Sequence, residues 1–165
     1  MSVPRPVQKP YPEVWVASTS LEGFMAAAER GHHLLCMPML KGLEGLAEDI
    51  AKYKAKLADH GFDPATRRVA MMIPWFVTKP EDDIEDVVSA FMWYVRRQVN
   101  LVAPPDYKDA RHATYRLFGQ LAAGMSEEKA LEELTQNRMI VLDDVAASKK
   151  AVEEVFAAGA TDLIG

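Results

Sequence analysis

Three consecutive hydroxyl side chains, Ser18, Thr19 and Ser20, follow a short apolar run near the amino terminus. The run, residues 14–17, has the character of a strand buried on both faces, and residues 24–31 have the composition of a short helix that ends at a glycine. Hydroxyl donors and free backbone N–H groups at the positive end of a helix favour a phosphate group. From the residues alone, helix capping is the favoured interpretation of the three hydroxyls, and a phosphate site is the alternative.

The other residues that could carry chemistry are isolated from one another. Cys36 is the only cysteine and lies inside the apolar run 34–40, which predicts a buried, unreactive thiol. His32 and His33 are adjacent, so their side chains would point in different directions, and no carboxylate or cysteine stands at ligand spacing. We therefore predict no metal site, and the sequence assigns no catalytic residue.

Strand-like and helix-like segments alternate along the chain. Continuous apolar runs predict three strands, at residues 14–17, 34–38 and 69–73, and residues 161–165, after the last helix, are interpreted as a fourth. Apolar side chains at helical spacing predict the longer helices, which begin near residues 43, 84 and 145. Residues 103–138 are irregular, with a helix capped by Ser126, and are interpreted as an insertion. Alternation of this kind implies a parallel α/β sheet with right-handed crossovers.

Two parallel architectures fit this order of elements. A flavodoxin-like doubly wound domain suits 165 residues, but it normally ends on a covering helix, whereas this sequence ends on a predicted strand. A (β/α)₈ barrel needs ~250 residues, so four strands with their helices correspond to about half of one. We therefore predict a single partial domain over residues 1–165, a parallel (β/α) half barrel.

A continuous apolar stripe marks the helix that begins near residue 84. The stripe consists of Ile84, Val87, Val88, Phe91, Met92, Val95 and Val99. We interpret it as a helix face packed on the sheet and not as a cofactor site.

Trp75 and Phe76 follow the third predicted strand, where they would either line the mouth of a barrel or pack in the core or against a partner.

The composition places the chain among globular proteins. It has 49% apolar residues and a net charge of −5, with 19 basic against 24 acidic side chains. The acidic balance argues against nucleic acid as a partner, because binding to the phosphate backbone needs a basic surface. No run of ~18 apolar residues predicts a membrane helix, and the first residues do not resemble a signal peptide, so we expect a cytoplasmic protein without a membrane partner.

Several segments together resemble one protein family. Residues 5–20 (RPVQKPYPEVWVASTS) and 27–31 (AAERG) resemble the part of the bacterial luciferase-like flavin-dependent monooxygenases that forms the fifth barrel strand and the phosphate-binding turn. The later segments resemble the family in the same order: a sixth strand at 34–39, a helix ending in HGFDP at 60–64, a seventh strand at 69, an acidic helix at 81 and the eighth strand within 151–164. The resemblance implies the C-terminal half of a luciferase-like TIM barrel, strands five to eight.

The resemblance also implies a chemistry and a set of cofactor contacts. In this family reduced FMN, supplied by a reductase, reacts with O₂ to form a peroxyflavin that inserts one oxygen atom into an organic substrate. An FMN-dependent monooxygenase is therefore implied, with Ala17, Ser18, Thr19 and Ser20 as cofactor-binding residues and Ala17 close to the flavin ring. The alternatives are a deazaflavin-dependent oxidoreductase, a non-catalytic flavin-binding protein, and a structural or interaction remnant of the same fold.

Two positions depart from the family pattern. Gly23 stands where relatives usually carry a hydroxyl residue, so one phosphate donor is expected to be missing. Leu142 stands where relatives have the glycine of a turn before the last helix, so the turn expected at residues 141–145 should have ordinary backbone angles.

The resemblance does not include the family's first four strands. Half a barrel would leave two edge strands unpaired and would expose side chains meant for the barrel interior. We therefore expect either a homodimer, in which two halves close an eight-stranded barrel, or a complementing half-barrel chain. A complete catalytic site is not expected from one copy alone.

Overall fold

The computed structural model describes residues 7–38, 41–102 and 126–165. Its elements in chain order are β1 (Trp15–Ala17), α1 (Leu21–Glu29), β2 (His33–Cys36), α2 (Gly42–Asp59), a 3₁₀ turn (Pro64–Thr66), β3 (Val69–Met72), β4 (Trp75–Val77), α3 (Ile84–Val102), α4 (Glu127–Gln136), β5 (Val141–Asp143), α5 (Val145–Ala157) and β6 (Asp162–Ile164).

The main sheet has four strands in the order β1-β2-β3-β6, and every pair is parallel. Its strands are the four predicted from the sequence, joined by helical crossovers, and the prediction of a parallel α/β fold is confirmed. Within the described residues, β1 pairs only with β2 and β6 pairs only with β3, so both are edge strands. All four carboxyl ends meet at one edge of the sheet, where ligands of parallel α/β folds usually bind.

The helices cover one face of this sheet. Side chains alternate between the two faces along a strand, and Leu34, Val69 and Met71 point into the core that α1, α2 and α5 complete. Tyr53 of α2 is fully buried, and its hydroxyl donates to the backbone carbonyl of His32 at 2.7 Å. Val155 of α5 is also fully buried. The opposite face carries the residues at alternate positions, among them those that build the site described below.

A second parallel pair, β4 with β5, was not predicted from the sequence. Trp75 pairs with Val141 and Phe76 with Leu142, and the Val141 N–H donates to the Pro74 carbonyl at 3.0 Å. The prediction of a turn at residues 141–145 is therefore wrong for residues 141–143, which form β5. A fully buried Val141 and the preceding apolar residues favour a strand here, and the turn is reduced to Asp144, which caps α5.

The apolar stripe of α3 packs differently from the prediction. Phe91, Met92 and Val95 are buried, but against α4 and the residues that follow it, and not against the main sheet. The contacts come from Ala130, Leu134, Met139 and Ile140. Ile84, at the start of the stripe, is exposed. Helical spacing identifies the face that is buried, but it carries no information about the partner of that face.

The helix predicted after Ser126 is present as α4. The Ser126 hydroxyl accepts the Lys129 N–H at 3.3 Å and so caps the helix. Residues 103–125 of the predicted insertion lie outside the described residues, and the assignment of a single domain over the whole chain stays a prediction. In the described part of the chain, no helix is long and apolar enough to cross a membrane.

Candidate functional site

The turn between β1 and α1 lies at the carboxyl edge of the main sheet. The Ser18 N–H donates to the Leu35 carbonyl at 3.0 Å, which extends the pairing of β1 by one residue. The chain then turns, and Ser20 adopts extended backbone angles as the N-cap of α1. Its hydroxyl accepts the Gly23 N–H at 3.2 Å. The capping role that the sequence allowed for the hydroxyls therefore applies to Ser20.

Ser18 has a different role in the same turn. Its hydroxyl accepts the Ser20 N–H at 3.2 Å and donates to the Ser20 carbonyl at 3.3 Å, so its proton is already used. It also lies against Gly23, where an added Cβ would overlap the Ser18 hydroxyl and stand 2.8 Å from the Ser18 Cβ. The Ser18 side chain thus occupies the space in which a side chain at position 23 would begin. The sequence predicts that a phosphate donor is missing at position 23, because glycine has no side chain. In the structure, the Ser18 hydroxyl occupies the space that a side chain at this position would fill.

Two kinds of donor at the turn remain available to a ligand. Thr19 is exposed, and its hydroxyl makes no hydrogen bond to another described residue. The N–H groups of Leu21 and Glu22 belong to the first turn of α1 and have no acceptor within the helix. The hydroxyl proton of Ser20 is also free, because that oxygen acts only as an acceptor towards Gly23. Together with the positive end of the helix, these donors suit a phosphate group.

A cavity of about 260 Å³ opens beside this turn. It is lined by Ala17, Ser18, Thr19, Leu35, Cys36, Met37 and Met72. These residues come from the carboxyl ends of β1, β2 and β3, and most of the surface they expose to the cavity is apolar. The structure therefore brings Ala17, Ser18 and Thr19 to one cavity, while Ser20 lies at the adjoining helix end. An apolar cavity next to a set of anion donors is the arrangement that a flat apolar ring with a phosphate tail requires.

The apolar side of the cavity was not predicted residue by residue. Leu35, Met37 and Met72 are interior strand or strand-end residues whose types alone predict only core packing. Their position at the carboxyl end of predicted strands was the available signal, since ligands of parallel α/β folds bind there. Trp75 and Phe76 do not line this cavity; Trp75 packs against the core and Phe76 is partly exposed.

Cys36 borders the cavity but is not a nucleophile. It is 3% exposed, and its Sγ lies 3.7 Å from the Ala70 carbonyl oxygen. Burial raises the pKa of the thiol to about 12. The thiol therefore stays protonated at neutral pH, as the apolar sequence around it predicts.

A polar and aromatic cluster lies at the opposite, amino-terminal end of the strands. The His33 ring stacks on Trp15 with 4.8 Å between ring centroids, and its Nδ1 accepts the Arg68 N–H at 2.9 Å. The Arg68 guanidinium lies over the Trp15 ring at 5.3 Å and forms an ion pair with Asp162. Hydrogen bonds from Arg68 and from the Thr161 hydroxyl lower the pKa of Asp162. Sequence reasoning missed this cluster because its members come from four separate strands or strand ends.

The two adjacent histidines belong to different environments. His33 is buried in this cluster, whereas His32 is partly exposed and contributes its carbonyl to Tyr53. Among the residues that the structure describes, no three His, Cys, Asp or Glu side chains are grouped so that they could hold a metal ion.

A larger cavity of about 710 Å³ lies between the start of α2 and the ends of α4 and α5. Three charged residues at its border, Lys41, Arg138 and Glu154, form ion pairs. Lys41 contacts the buried Asp49 at 2.8 Å, and Arg138 contacts Glu154 at 2.9 Å and Asp143 at 3.2 Å. Internal pairing leaves these groups less available for a ligand than the donors at the β1–α1 turn.

Solved structures with the same fold include enzymes with two different cofactors. A coenzyme F420-dependent secondary alcohol dehydrogenase, solved with an F420–acetone adduct, aligns with a TM-score of 0.61 and 18% identity over 94% of this chain and 43% of that protein. The oxygenating constituent of 3,6-diketocamphane monooxygenase from Pseudomonas putida, solved with FMN, aligns with a TM-score of 0.55 and 21% identity over 92% and 41%.

A third structure is the coenzyme F420-dependent tetrahydromethanopterin reductase from Methanopyrus kandleri, with a TM-score of 0.57 and 15% identity over 90% of this chain and 43% of that protein. The chain thus spans less than half the length of each of these structures. At such identities the likeness shows the fold alone. No curated protein matches the sequence at a significant level.

The family assignment comes from the sequence itself. The family model described as luciferase-like monooxygenase matches residues 1–162, which is nearly the whole chain. The match includes the β1–α1 turn, the strands β1, β2 and β3 of the main sheet and the helices up to α5, and it ends at the first residue of β6. This chain therefore belongs to the luciferase-like monooxygenase family.

Proposed function

We propose that this chain is the phosphate-binding half of a flavin-dependent oxidoreductase, with FMN as the cofactor and monooxygenation of a small organic substrate as the reaction. The observation that carries the proposal is the β1–α1 turn, where anion donors adjoin an apolar cavity at the carboxyl edge of a parallel sheet. Family membership supports an oxidoreductase, and the solved structures of this fold include both FMN- and F420-containing proteins.

The residues of the turn would divide the work of holding the cofactor. The Thr19 and Ser20 hydroxyls and the N–H groups of Leu21 and Glu22 would bind the phosphate. Ser18 would not bind it directly, because its hydroxyl is committed within the turn; it would hold the backbone of Ser20 in place. Ala17 provides a small side chain at the strand end, which leaves room for a flat ring.

The apolar wall of the cavity has a separate task. Leu35, Met37 and Met72 would contact the ring system and keep water away from it. Bound reduced flavin would supply the electrons and the reaction with O₂. No described side chain at this cavity is suited to act as a general acid or base, since Cys36 stays protonated and the other lining residues do not titrate.

A partner is part of the proposal. Within the described residues, β1 and β6 are each unpaired on one side, and Met72 and Ile164 at the carboxyl edge are exposed. Such edges need cover, because unpaired strands and apolar side chains in water favour association. We propose that a second copy of the chain or a complementing half barrel pairs with β1 and β6 and supplies the rest of the flavin and substrate contacts.

Binding of FMN to matched variants tests the proposal. We expect Thr19→Ala to weaken binding by about 10-fold or more, since a hydrogen bond to a charged group contributes about 1.5–3 kcal/mol. Ser20→Ala should also weaken binding. Ser126→Ala removes an equivalent N-cap from α4 and serves as the control, with FMN affinity unchanged. Quenching of FMN fluorescence reports the affinity.

The same titration distinguishes the cofactors. If the protein binds a deazaflavin tightly and FMN only weakly, the proposed cofactor is a deazaflavin and not FMN. The proposal would be contradicted if neither cofactor bound at concentrations up to about 1 mM. A dissociation constant of 1 mM corresponds to a binding free energy of only about −4 kcal/mol.

A further inference from the structure

Met72 is the last residue of β3, and it lines the cavity beside the β1–α1 turn. Side chains alternate along a strand, so the two adjacent methionines of β3 point to opposite faces of the sheet. Met71 belongs to the core under the helices and is fully buried, whereas Met72 is 37% exposed. Two thioethers that are neighbours in sequence therefore differ completely in their access to solvent.

Exposure also distinguishes Met72 from the methionines elsewhere in the chain. Met92 and Met139 are buried in the apolar cluster of α3, α4 and the residues that follow α4. Met25 and Met37 are partly buried. In the described part of the chain, Met72 is the only methionine that is exposed. An oxidant in solution must reach the sulfur, so Met72 should react before the others.

The cavity around Met72 is sensitive to a change in polarity. Most of the surface that its lining exposes is apolar, and none of the described residues that line it is charged. Leu35 and Met37 contribute further apolar side chains, and the hydroxyl residues Ser18 and Thr19 lie on the side of the turn. A strongly polar group at position 72 would therefore lie in the wall that is now apolar.

The neighbouring thiol does not compete for an oxidant. Cys36 lines the same cavity but is only 3% exposed, and burial raises its pKa to about 12. Oxidation of cysteine by peroxide needs the thiolate, which is almost absent at neutral pH. A thioether has no proton to lose, so the reactivity of Met72 depends on access alone.

Hydrogen peroxide oxidises a thioether in one two-electron step. The sulfur attacks one oxygen of the peroxide, the S–O bond forms and the O–O bond breaks. The proton of the transferred oxygen passes to the departing hydroxide, so the products are methionine sulfoxide and one water. Reduced flavin that reacts with O₂ in the absence of a substrate yields oxidised flavin and hydrogen peroxide, so the proposed function would bring this oxidant to the cavity.

We propose that Met72 is a site of modification by hydrogen peroxide, and that its sulfoxide makes the wall of the cavity polar and weakens the binding of a flat apolar ring. The sulfoxide oxygen needs water or a hydrogen-bond donor, and contact with an apolar ring provides neither. Oxidation leaves the Thr19 and Ser20 hydroxyls and the start of α1 unchanged. The selective modification does not depend on a cofactor, whereas its effect on ring binding rests on the proposed function.

Mass spectrometry measures the selectivity on the unaltered chain. Dilute hydrogen peroxide is added, catalase removes the excess, and fragment ions of the peptide that contains Met71 and Met72 locate the added oxygen. Met72 should be oxidised at least about tenfold faster than Met71, because a buried sulfur reacts only after local opening. In denaturant the two rates should become equal. Equal rates in the folded chain, or faster oxidation of any other described methionine, would overturn the proposal.

NMR reports the change in the cavity without any cofactor. Oxidation of Met72 should shift the methyl resonances of Ala17 and Leu35, which line the same cavity. The methyl group of Ala151, fully buried in α5, is the control and should keep its resonance. Unchanged resonances of Ala17 and Leu35 after complete oxidation of Met72 would contradict a change in the cavity. An equal shift of Ala151 would indicate general disruption and would also refute the proposal.

Two variants connect ligand affinity to this one sulfur. After peroxide treatment, the parent chain should bind both riboflavin and FMN about fivefold more weakly, by the same factor, because only the ring side of the site has changed. Met72→Leu keeps an apolar side chain of similar volume and cannot form a sulfoxide, so its affinity should resist the treatment. Met139→Leu, in the cluster of α3 and α4, is the control and should respond like the parent chain. A loss of affinity that persists in Met72→Leu would overturn the role of this residue.

The outcomes separate this inference from the proposed function. If the untreated chain binds neither riboflavin nor FMN, the proposed function fails and the effect on ring binding fails with it. The oxidation rates and the methyl shifts still decide the modification of Met72 in that case. If the untreated and the oxidised chain bind both ligands equally well, the proposed function stands and the effect of the sulfoxide is refuted.

Discussion

Gly23 and Ser18 occupy complementary space at the start of α1. A Cβ at position 23 would overlap the Ser18 hydroxyl and approach the Ser18 Cβ to 2.8 Å. The turn depends on both residues. The Ser18 hydroxyl fits only because Gly23 has no side chain, and this hydroxyl bonds the N–H and the carbonyl of Ser20.

We predict that Gly23→Ala destabilises the protein although alanine normally favours a helix by ~1 kcal/mol over glycine. Displacement of the Ser18 side chain should outweigh that gain and lower the free energy of unfolding by about 1–2 kcal/mol. Chemical denaturation measures the change. In the background Ser18→Gly, which removes the obstructing atoms, Gly23→Ala should become neutral or stabilising; an equal loss in both backgrounds would show that the two residues are not coupled.

The Cys36 thiol should be inert in the folded protein. Its burial and a pKa of about 12 leave almost no thiolate at pH 8, so a disulfide reagent such as dithiobis-nitrobenzoate should not react until the chain unfolds. The measurement is the rate of colour release with and without denaturant. Rapid reaction of the folded chain would place Cys36 in an open, activated environment and contradict the structure.

The ion pair of Arg68 with Asp162 makes the stability of the protein depend on pH. The pKa of Asp162 is lowered from 3.8 in the folded state, so its contribution to stability is present above that value and is lost as the pH falls through the lower, folded-state pKa. Asp162→Asn should therefore be less stable than the parent chain at pH 7, and the difference should shrink in acid. Urea unfolding at a series of pH values tests this, and a difference that is constant with pH would argue against the ion pair.

The unpaired edges predict association of the chain. Sedimentation at micromolar concentration should give a mass of about twice the 18.4 kDa chain, or a complex with a complementing half barrel when one is supplied. Ile164→Lys, at the exposed end of β6, should weaken the association. Lys150→Glu on the outer helix α5 is a control that should not. A folded, monodisperse monomer would contradict the proposal of a covering partner.

Local sequence patterns were sufficient to predict the strands of the main sheet. Continuous apolar runs such as Leu34–Cys36 and Val69–Met72 identify buried parallel strands, because such strands are covered on both faces. The short β4–β5 pair escaped prediction, since its three-residue strands are separated by more than 60 positions in sequence and only their pairing makes them strands. The prediction that α3 packs on the main sheet was wrong for a similar reason. The spacing of apolar residues shows which face of a helix is buried, but it does not show which element packs against that face.

The site was predicted only in part. The hydroxyl triplet indicated the β1–α1 turn as a candidate site, because a strand followed by hydroxyls and a helix creates anion donors whatever lies around it. The separate roles of Ser18 and Ser20 were not predictable, since they depend on the space beside Gly23. The environment of His33 depends on residues up to Asp162, far away in the chain, and no local pattern encodes it.

The most direct test of the proposed phosphate site follows individual amides by NMR during titration with FMN and with riboflavin, which lacks the phosphate. We predict that FMN shifts the Leu21 and Glu22 amide protons downfield, as expected for hydrogen bonds to a phosphate at a helix N-terminus, whereas riboflavin leaves them in place. Unchanged Leu21 and Glu22 resonances at saturating FMN, or the same shifts with riboflavin, would contradict a phosphate site at this turn.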